Sequence, residues 1–173
     1  MITIQPSLDA DLKLIYERVY VKCGLIMSKL KRNAKSTVYG ACSFQLNDMK
    51  IEYRVSKMTP TKTGQFVTIW KRSEEGITTP FDISDDIDFV IITSRSGENL
   101  GQFLFPKSVL IQQSIFSQNR KGGKRGIRVY PPWDQVNSRQ ASRTQQWQAK
   151  YFVTIRDGNN TDLDRVRQLL DSG

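Results

Sequence analysis

Two stretches of this chain gather cations around residues that bring backbone amides within reach of a ligand. The first runs Arg54-x-x-Lys57-x-x-Pro60-x-Lys62, followed by Gly64 and by Trp70-Lys71-Arg72. Cations on one strand, a loop with the Thr59 and Thr61 hydroxyls, and cations on the next strand suit phosphate oxygens, which take charge-assisted hydrogen bonds from such donors. Arg54 and Lys57 fall on opposite faces of an ideal strand, so a solvated sheet face competes with this reading. The second stretch is Lys121-Gly122-Gly123-Lys124-Arg125-Gly126-x-Arg128-x-Tyr130. Its glycines let the backbone approach a ligand closely while its cations supply charge. The Gly-Lys-Ser/Thr order of a P-loop is absent, and an exposed surface loop is the competing reading.

A third candidate is the segment Arg139–Tyr151, read as a helix with Ser138 as its N-cap. Helical spacing puts Gln140, Thr144, Trp147 and Tyr151 on one stripe and Arg139, Arg143, Gln146 and Lys150 on the next. A basic stripe beside Gln145 and Gln148 suits a groove, with Arg or Gln reading base edges. Trp147 and Tyr151 read as core, and Trp133, after two prolines, as the better exposed stacking ring.

The fourth candidate is acidic: Asp82, Asp85, Asp86 and Asp88 ahead of one strand, with Glu52 on another. Metal-dependent restriction-type nucleases place an Asp on one strand and an acid-x-Lys on the next, so that two carboxylates hold a cation while Lys assists water. Here the residues after the turn are Gln102-Phe103-Leu104, with Gln for the acid and Leu for the Lys. Glu52-Tyr53-Arg54 is the other partial match, and a guanidinium stays protonated. The chain contains no histidine, which removes Ser-His and Cys-His nucleophiles and His-ligated metals together. Cys23 and Cys42 lack zinc-site spacing and read as free buried thiols. No catalytic residue, metal or cofactor is assigned.

These segments need a scaffold. A length of 173 residues with 38% hydrophobic and 25% charged residues suits one folded domain over 1–173. Leu8, Leu12, Ile15, Tyr16 and Val19 predict an amphipathic helix over 8–20, followed by a basic connection over 28–36. Strands are expected over 37–46, 49–55, 65–71, 88–93, 102–105 and 127–130, with a turn over 94–100 and a short helical segment after Pro106. Helices over 138–151 and 161–170 close the chain. Helix, strands, then helices describe an α+β fold built on a largely antiparallel sheet flanked by helices.

Net charge is +9, and it is segregated. Residues 107–150 set Lys107, Arg120, Lys121, Lys124, Arg125, Arg128, Arg139, Arg143 and Lys150 against Asp134 alone, whereas 73–98 is acidic. A two-signed surface of this kind orients a polyanion. No apolar run approaches the roughly 18 residues of a membrane helix, and the first residues have no signal-peptide pattern, so the expected setting is the cytoplasm with no membrane partner.

Four strings resemble the MepB family of bacterial proteins: Ser56–Arg72, Gly101–Lys107, Gly123–Trp133 and Thr144-Gln145-x-Trp147-Gln148-x-x-Tyr151-Phe152. They fall in the family's order over nearly the whole chain. The family is named for a staphylococcal operon with a MarR-type repressor and a multidrug efflux pump. The resemblance implies a bacterial cytoplasmic protein, no cofactor and no established catalytic residue. Function therefore rests on the charge pattern, which points to a nucleic acid, DNA ahead of RNA. The expected contacts are with its phosphate backbone, through Arg54, Lys57, Lys62, Lys71, Arg72, Lys107, Lys124, Arg125, Arg128 and Arg143, with little sequence specificity. The rivals are a metal-dependent nuclease using Asp88 and Glu52, and a regulatory module that binds an acidic protein surface.

Overall fold

The computed structural model describes residues 9–32, 40–157 and 161–173. The chain opens with α1 (Ala10–Ile15), whose first turn is capped by Asp9: its carboxylate accepts from the Leu12 amide at 2.9 Å. A π-helical turn over Tyr16–Tyr20 follows, and its wider pitch turns the adjacent Val19 and Tyr20 both inward. A 3₁₀ turn, Val21–Cys23, ends at Gly24, whose φ of 75° reverses the chain.

Strands β1 (Met27–Arg32), β2 (Cys42–Leu46), β3 (Met49–Val55), β4 (Lys57–Met58), β5 (Gln65–Thr68), β6 (Lys71–Arg72), β7 (Thr78–Thr79), β8 (Phe89–Ser96) and β9 (Asn99–Pro106) come next. Then follow α2 (Lys107–Gln112), β10 (Gly126–Val129), α3 (Arg139–Ala149), β11 (Phe152–Thr154) and α4 (Leu163–Asp171). The central sheet has the order β1-β2-β3-β8-β9-β11 and is antiparallel except where β3 runs parallel to β8. A smaller sheet, β10-β5-β4, and the ribbon β6-β7 complete the α+β architecture. No helix among the described residues is long and apolar enough to cross a membrane.

Period-2 alternation splits the central strands between two cores. On one face Phe44, Leu46, Ile51, Phe89, Ile91 and Leu104 pack against Leu12, Ile15, Val19, Val166, Leu169 and Leu170 of the helices. A directed polar chain crosses this core. Tyr20 donates to Gln102, Gln102 Nε2 to Thr93 Oγ1 at 3.0 Å, Thr93 to the Tyr53 hydroxyl at 2.6 Å, and Tyr53 to Asp9 at 3.1 Å. On the other face Val90, Ile92, Phe103 and Phe105 pack beneath Val67, Ile69, Ile127 and Val129 of the second layer. That layer stops short of the far strands. Ser43 and Gln45 of β2 and Lys50 and Glu52 of β3 stay half-buried, lining open hollows.

Several expectations are corrected here. The basic connection expected over 28–36 contains β1 as far as Arg32, and residues 33–36 lie outside the described residues, as do Leu8 and the expected strand start at 37–39. An edge strand open on one side needs few apolar residues, and a bulge between Ser28 and Lys31, with Lys29 at φ 54°, breaks its alternation. The strand expected over 65–71 breaks at Ile69-Trp70, and the chain resumes as β6. The broad turn over 94–100 is a two-residue hairpin at Gly97-Glu98, which extends both flanking strands. β11, unexpected from sequence, pairs with β9 from Phe152 to Thr154. Both cysteines are free; Cys42 is buried, which pushes its thiol up to about 12, and Cys23 is half-buried.

Two tests probe this scaffold. A Cβ on Gly101 would lie 2.1 Å from the buried Phe152 ring. Gly101→Ala is expected to destabilise by about 1–3 kcal/mol in denaturant unfolding, the usual range for overpacking. Asp82 is buried and accepts from Ser117 Oγ at 2.7 Å, the Arg120 amide at 3.0 Å, and the amide and hydroxyl of Ser84 at 3.0 and 2.7 Å. These bonds, the Ser117 hydroxyl foremost, hold its carboxyl well below the usual range. A depressed folded value stabilises above the unfolded value of about 3.9 and is lost as pH falls below it. Asp82→Asn should therefore lower the thermal midpoint at neutral pH, with the gap to wild type narrowing below about pH 4.

Candidate functional site

Three cations from separate segments meet in a groove of about 470 Å³ between the outer face of β5 and β10 and the first turns of α3. Lys62 comes from the loop after β4, Lys124 from the glycine-rich loop, and Arg128 from β10. Ser138, Gln140, Ala141, Thr144 and Trp147 of α3 form one wall, Phe66 and Tyr130 belong to the other, and Gln113 and Ile115 close one end. Among the described residues the lining contains no carboxylate. An anion entering here meets donors and aromatic surface without a repelling charge.

Arg128 and the Lys124 loop are held by hydrogen bonds. Arg128 donates to Thr63 O at 3.1 Å and Thr59 Oγ1 at 2.8 Å, tying the 59–63 loop to β10 while its charge still faces the groove. The glycine-rich loop is anchored throughout. Asp82 grips Ser117 and the Arg120 amide, Gln118 pairs with Lys121, and the Lys124 amide donates to Ile115 O at 2.9 Å. Gly123 sits at φ 82°, and a Cβ there would come within 2.8 Å of Ser117 N and of Pro80, so only glycine allows this close return. The loop is thus a built platform from which the Lys124 and Arg125 side chains project, both exposed.

α3 is set against this platform by amide side chains. Gln148, buried, accepts from the Tyr130 amide at 2.8 Å and donates to Arg128 O at 2.9 Å. Gln145 Nε2 donates to Pro131 O at 3.0 Å and Asp134 O at 2.9 Å. The expectation that these two glutamines read base edges is corrected by these bonds: both are spent on the protein's own backbone. Trp133 is likewise no free stacking ring. It packs edge-on to Phe152 at 5.7 Å, with Nε1 buried and unpartnered among the described residues. Trp147 packs on Phe105 at 5.3 Å and also lines the groove.

The ten expected contact residues divide. Lys62, Lys124 and Arg128 line the groove; Arg125 and Arg143 are exposed on the loop and on α3, and Lys57 is exposed on β4. Arg54, Lys71 and Arg72 line a different hollow, over β2 and β3. Arg54 is 3% exposed, which corrects its reading as an outward cation: its guanidinium donates to Tyr53 O at 2.8 Å and Trp70 O at 3.3 Å, and sits 3.3 Å from Glu52 Oε2. Lys71 pairs with Asp85 at 2.6 Å, and the Lys107 ammonium donates to Asp85 O at 2.5 Å. Lys107 is therefore engaged inside the fold. Sequence reasoning missed Phe66 and Gln113 as groove residues. It also left Lys31 and Arg32 in a connection, although the structure puts them on β1 beside the second hollow.

The acidic residues do not form the paired carboxylates of the nuclease pattern. Asp88 accepts from the Lys50 amide at 2.8 Å, while Gln102 belongs to the polar chain in the helix-covered core, on the sheet face opposite Glu52. Burial pushes the Glu52 carboxyl up against the opposing pull of Arg54. No group of three acidic or cysteine side chains among the described residues could hold a metal ion.

A family profile described as MepB-like matches residues 33–154. A solved structure titled "Crystal Structure of MepB" is similar over 87% of this chain and 99% of its own, with 29% identity and a TM-score of 0.74. No curated protein matches the chain. The matched span holds the groove and every strand except β1, while Lys31 and Arg32 of the hollow precede it, and over that span the chain belongs to the MepB-like family.

Proposed function

We propose that this protein binds the phosphate backbone of a nucleic acid in the groove between β10 and α3, with DNA ahead of RNA. One observation carries the reading: Lys62, Lys124 and Arg128 converge from three segments on a groove whose lining, among the described residues, has no carboxylate. Phosphate contacts of this kind position a strand without reading its sequence. The hydroxyls of Ser138 and Thr144 and the faces of Tyr130 and Trp147 add donors and stacking surface, which favour contact without base preference. A backbone ligand of this kind is met in the cytoplasm, the setting this reading assigns to the chain.

Binding should weaken steeply with salt, because each phosphate neutralised releases condensed counterions. On duplex DNA the log–log slope is about −0.9 per contact, so three groove cations give about −2.7 or steeper. A flat dependence in fluorescence-anisotropy titrations, or no binding at about 50 mM salt, would end the reading. Lys62→Ala with Lys124→Ala should reduce that slope by about 1.8. Lys124→Ala with Arg125→Ala should also weaken binding, and both pairs should leave the thermal midpoint unchanged, since these side chains are exposed. Lys107→Ala is the control, expected to leave the slope as it was because Lys107 does not line the groove and its ammonium is held at the Asp85 carbonyl.

A further inference from the structure

We propose that the hollow over β2 and β3 is a second, separate binding site, for a guanine nucleotide. The Glu52 carboxylate accepts from the base, and Lys31, on the same sheet face, holds the phosphate. The hollow measures about 470 Å³, within the range of small-molecule sites, and opens where the second layer leaves the sheet uncovered. Among the described residues Glu52 is the one carboxylate in its lining, set among cations. Its Oε2 meets Arg54 at 3.3 Å, and its Oε1 has no partner among the described residues.

Arg54 keeps that carboxylate in place. It is fixed by Tyr53 O, by Trp70 O and by the Phe81 ring, 5.7 Å beneath the guanidinium, so it cannot follow a ligand outward. Trp70 lines the same hollow with the Arg72 guanidinium over its ring at 5.4 Å, a flat surface suited to stacking. Lys31, opposite Ser43 on Glu52's face, is exposed and forms no ion pair among the described residues, whereas Lys71 is held by Asp85.

The ligand class follows from this mixture. A plain anion gains from the cations but is repelled by Glu52. A divalent metal ion finds a single carboxylate and a ring of positive charge. A molecule that presents paired N–H donors at one end and negative charge at the other satisfies both. Among the bases, guanine sets N1–H and the 2-amino group side by side, matching the acceptor oxygens of a carboxylate. Adenine, cytosine and uracil each place an acceptor next to their donor, which would face Glu52 oxygen to lone pair. A free nucleotide and a guanine within a strand share this chemistry.

The test is calorimetric titration of the full chain with GMP, IMP, AMP and CMP, and with short single strands that contain or lack guanine. GMP is expected to bind at least about tenfold tighter than IMP, which lacks the 2-amino group, and than AMP, a gap typical of a buried hydrogen-bonding group left unpaired. Glu52→Gln should weaken GMP by about tenfold or more, and Lys31→Ala should weaken GMP but not guanosine. Tighter binding of guanine-containing strands than of strands lacking guanine, with the difference lost in Glu52→Gln, would support the site and identify the strand as its source. Equal binding of GMP and AMP, indifference to Glu52→Gln in a variant with unchanged thermal midpoint, or no binding of GMP or guanine strands at about 1 mM would overturn it. The GMP–IMP comparison needs no variant, so it decides even if Glu52→Gln fails to fold. The groove variant Lys62→Ala with Lys124→Ala should leave GMP binding intact, which keeps this site distinct from the backbone groove.

Discussion

The outer edge of β10 depends on one side-chain amide. One edge of this strand pairs with β5, and the other would leave Arg128 C=O and Tyr130 N–H open inside the layer. Gln148 fills both positions, accepting from one and donating to the other, much as a residue of a neighbouring strand would. Leaving such groups unpaired in a buried setting costs about 1–3 kcal/mol each, so the amide fixes where α3 lies as well as filling a gap. With α3 in that position its first turns face Arg128 across a groove instead of collapsing onto the strand. The polar network that closes the layer therefore also shapes the site.

Much of the scaffold could be read from periodicity. Strand β3, with alternating Met49, Ile51, Tyr53 and Val55 facing the helix-covered core, kept its expected bounds. So, to within two residues, did the last two helices, whose capping residues Ser138 and Asp162 are bonded to the amides three positions on. Legibility failed where tertiary contact decides. β11 is three residues long, and its place is set by Phe152 seated over the bare Cα of Gly101, a fit no local pattern announces. β1 carries its cations outward because it is an edge, and edge polarity looks like loop polarity in a one-dimensional reading.

The site was legible as composition and illegible as geometry. Lys62, Lys124 and Arg128 came from the two stretches whose cations and glycines suggest phosphate contact, and they do meet. Arg54 came from the same reasoning and is buried, because an even-numbered position on β3 points to the face where Trp70 and Phe81 close over it. Local charge density cannot distinguish a cation that projects from one that braces the fold. The difference lies in which acceptors the fold sets around a cation, as it sets Tyr53 O and Trp70 O around Arg54.

The parallel pairing of β3 with β8 has a consequence for the order of assembly. Because β3 and β8 run the same way as direct neighbours, everything between Ser56 and Asp88 is a crossover closed at both ends by the sheet. That crossover brings β4 and β5 to the second layer but not their third strand, which arrives only after β9 and α2 have been laid down. During synthesis from the N-terminus, β5 waits with a bare edge until residues 126–129 emerge. Non-local closure of this kind slows folding and leaves a strand edge open to other chains in the interval. The groove is thus among the last parts of the molecule to exist, and a nascent chain released before Gly126 would present an adhesive edge in its place.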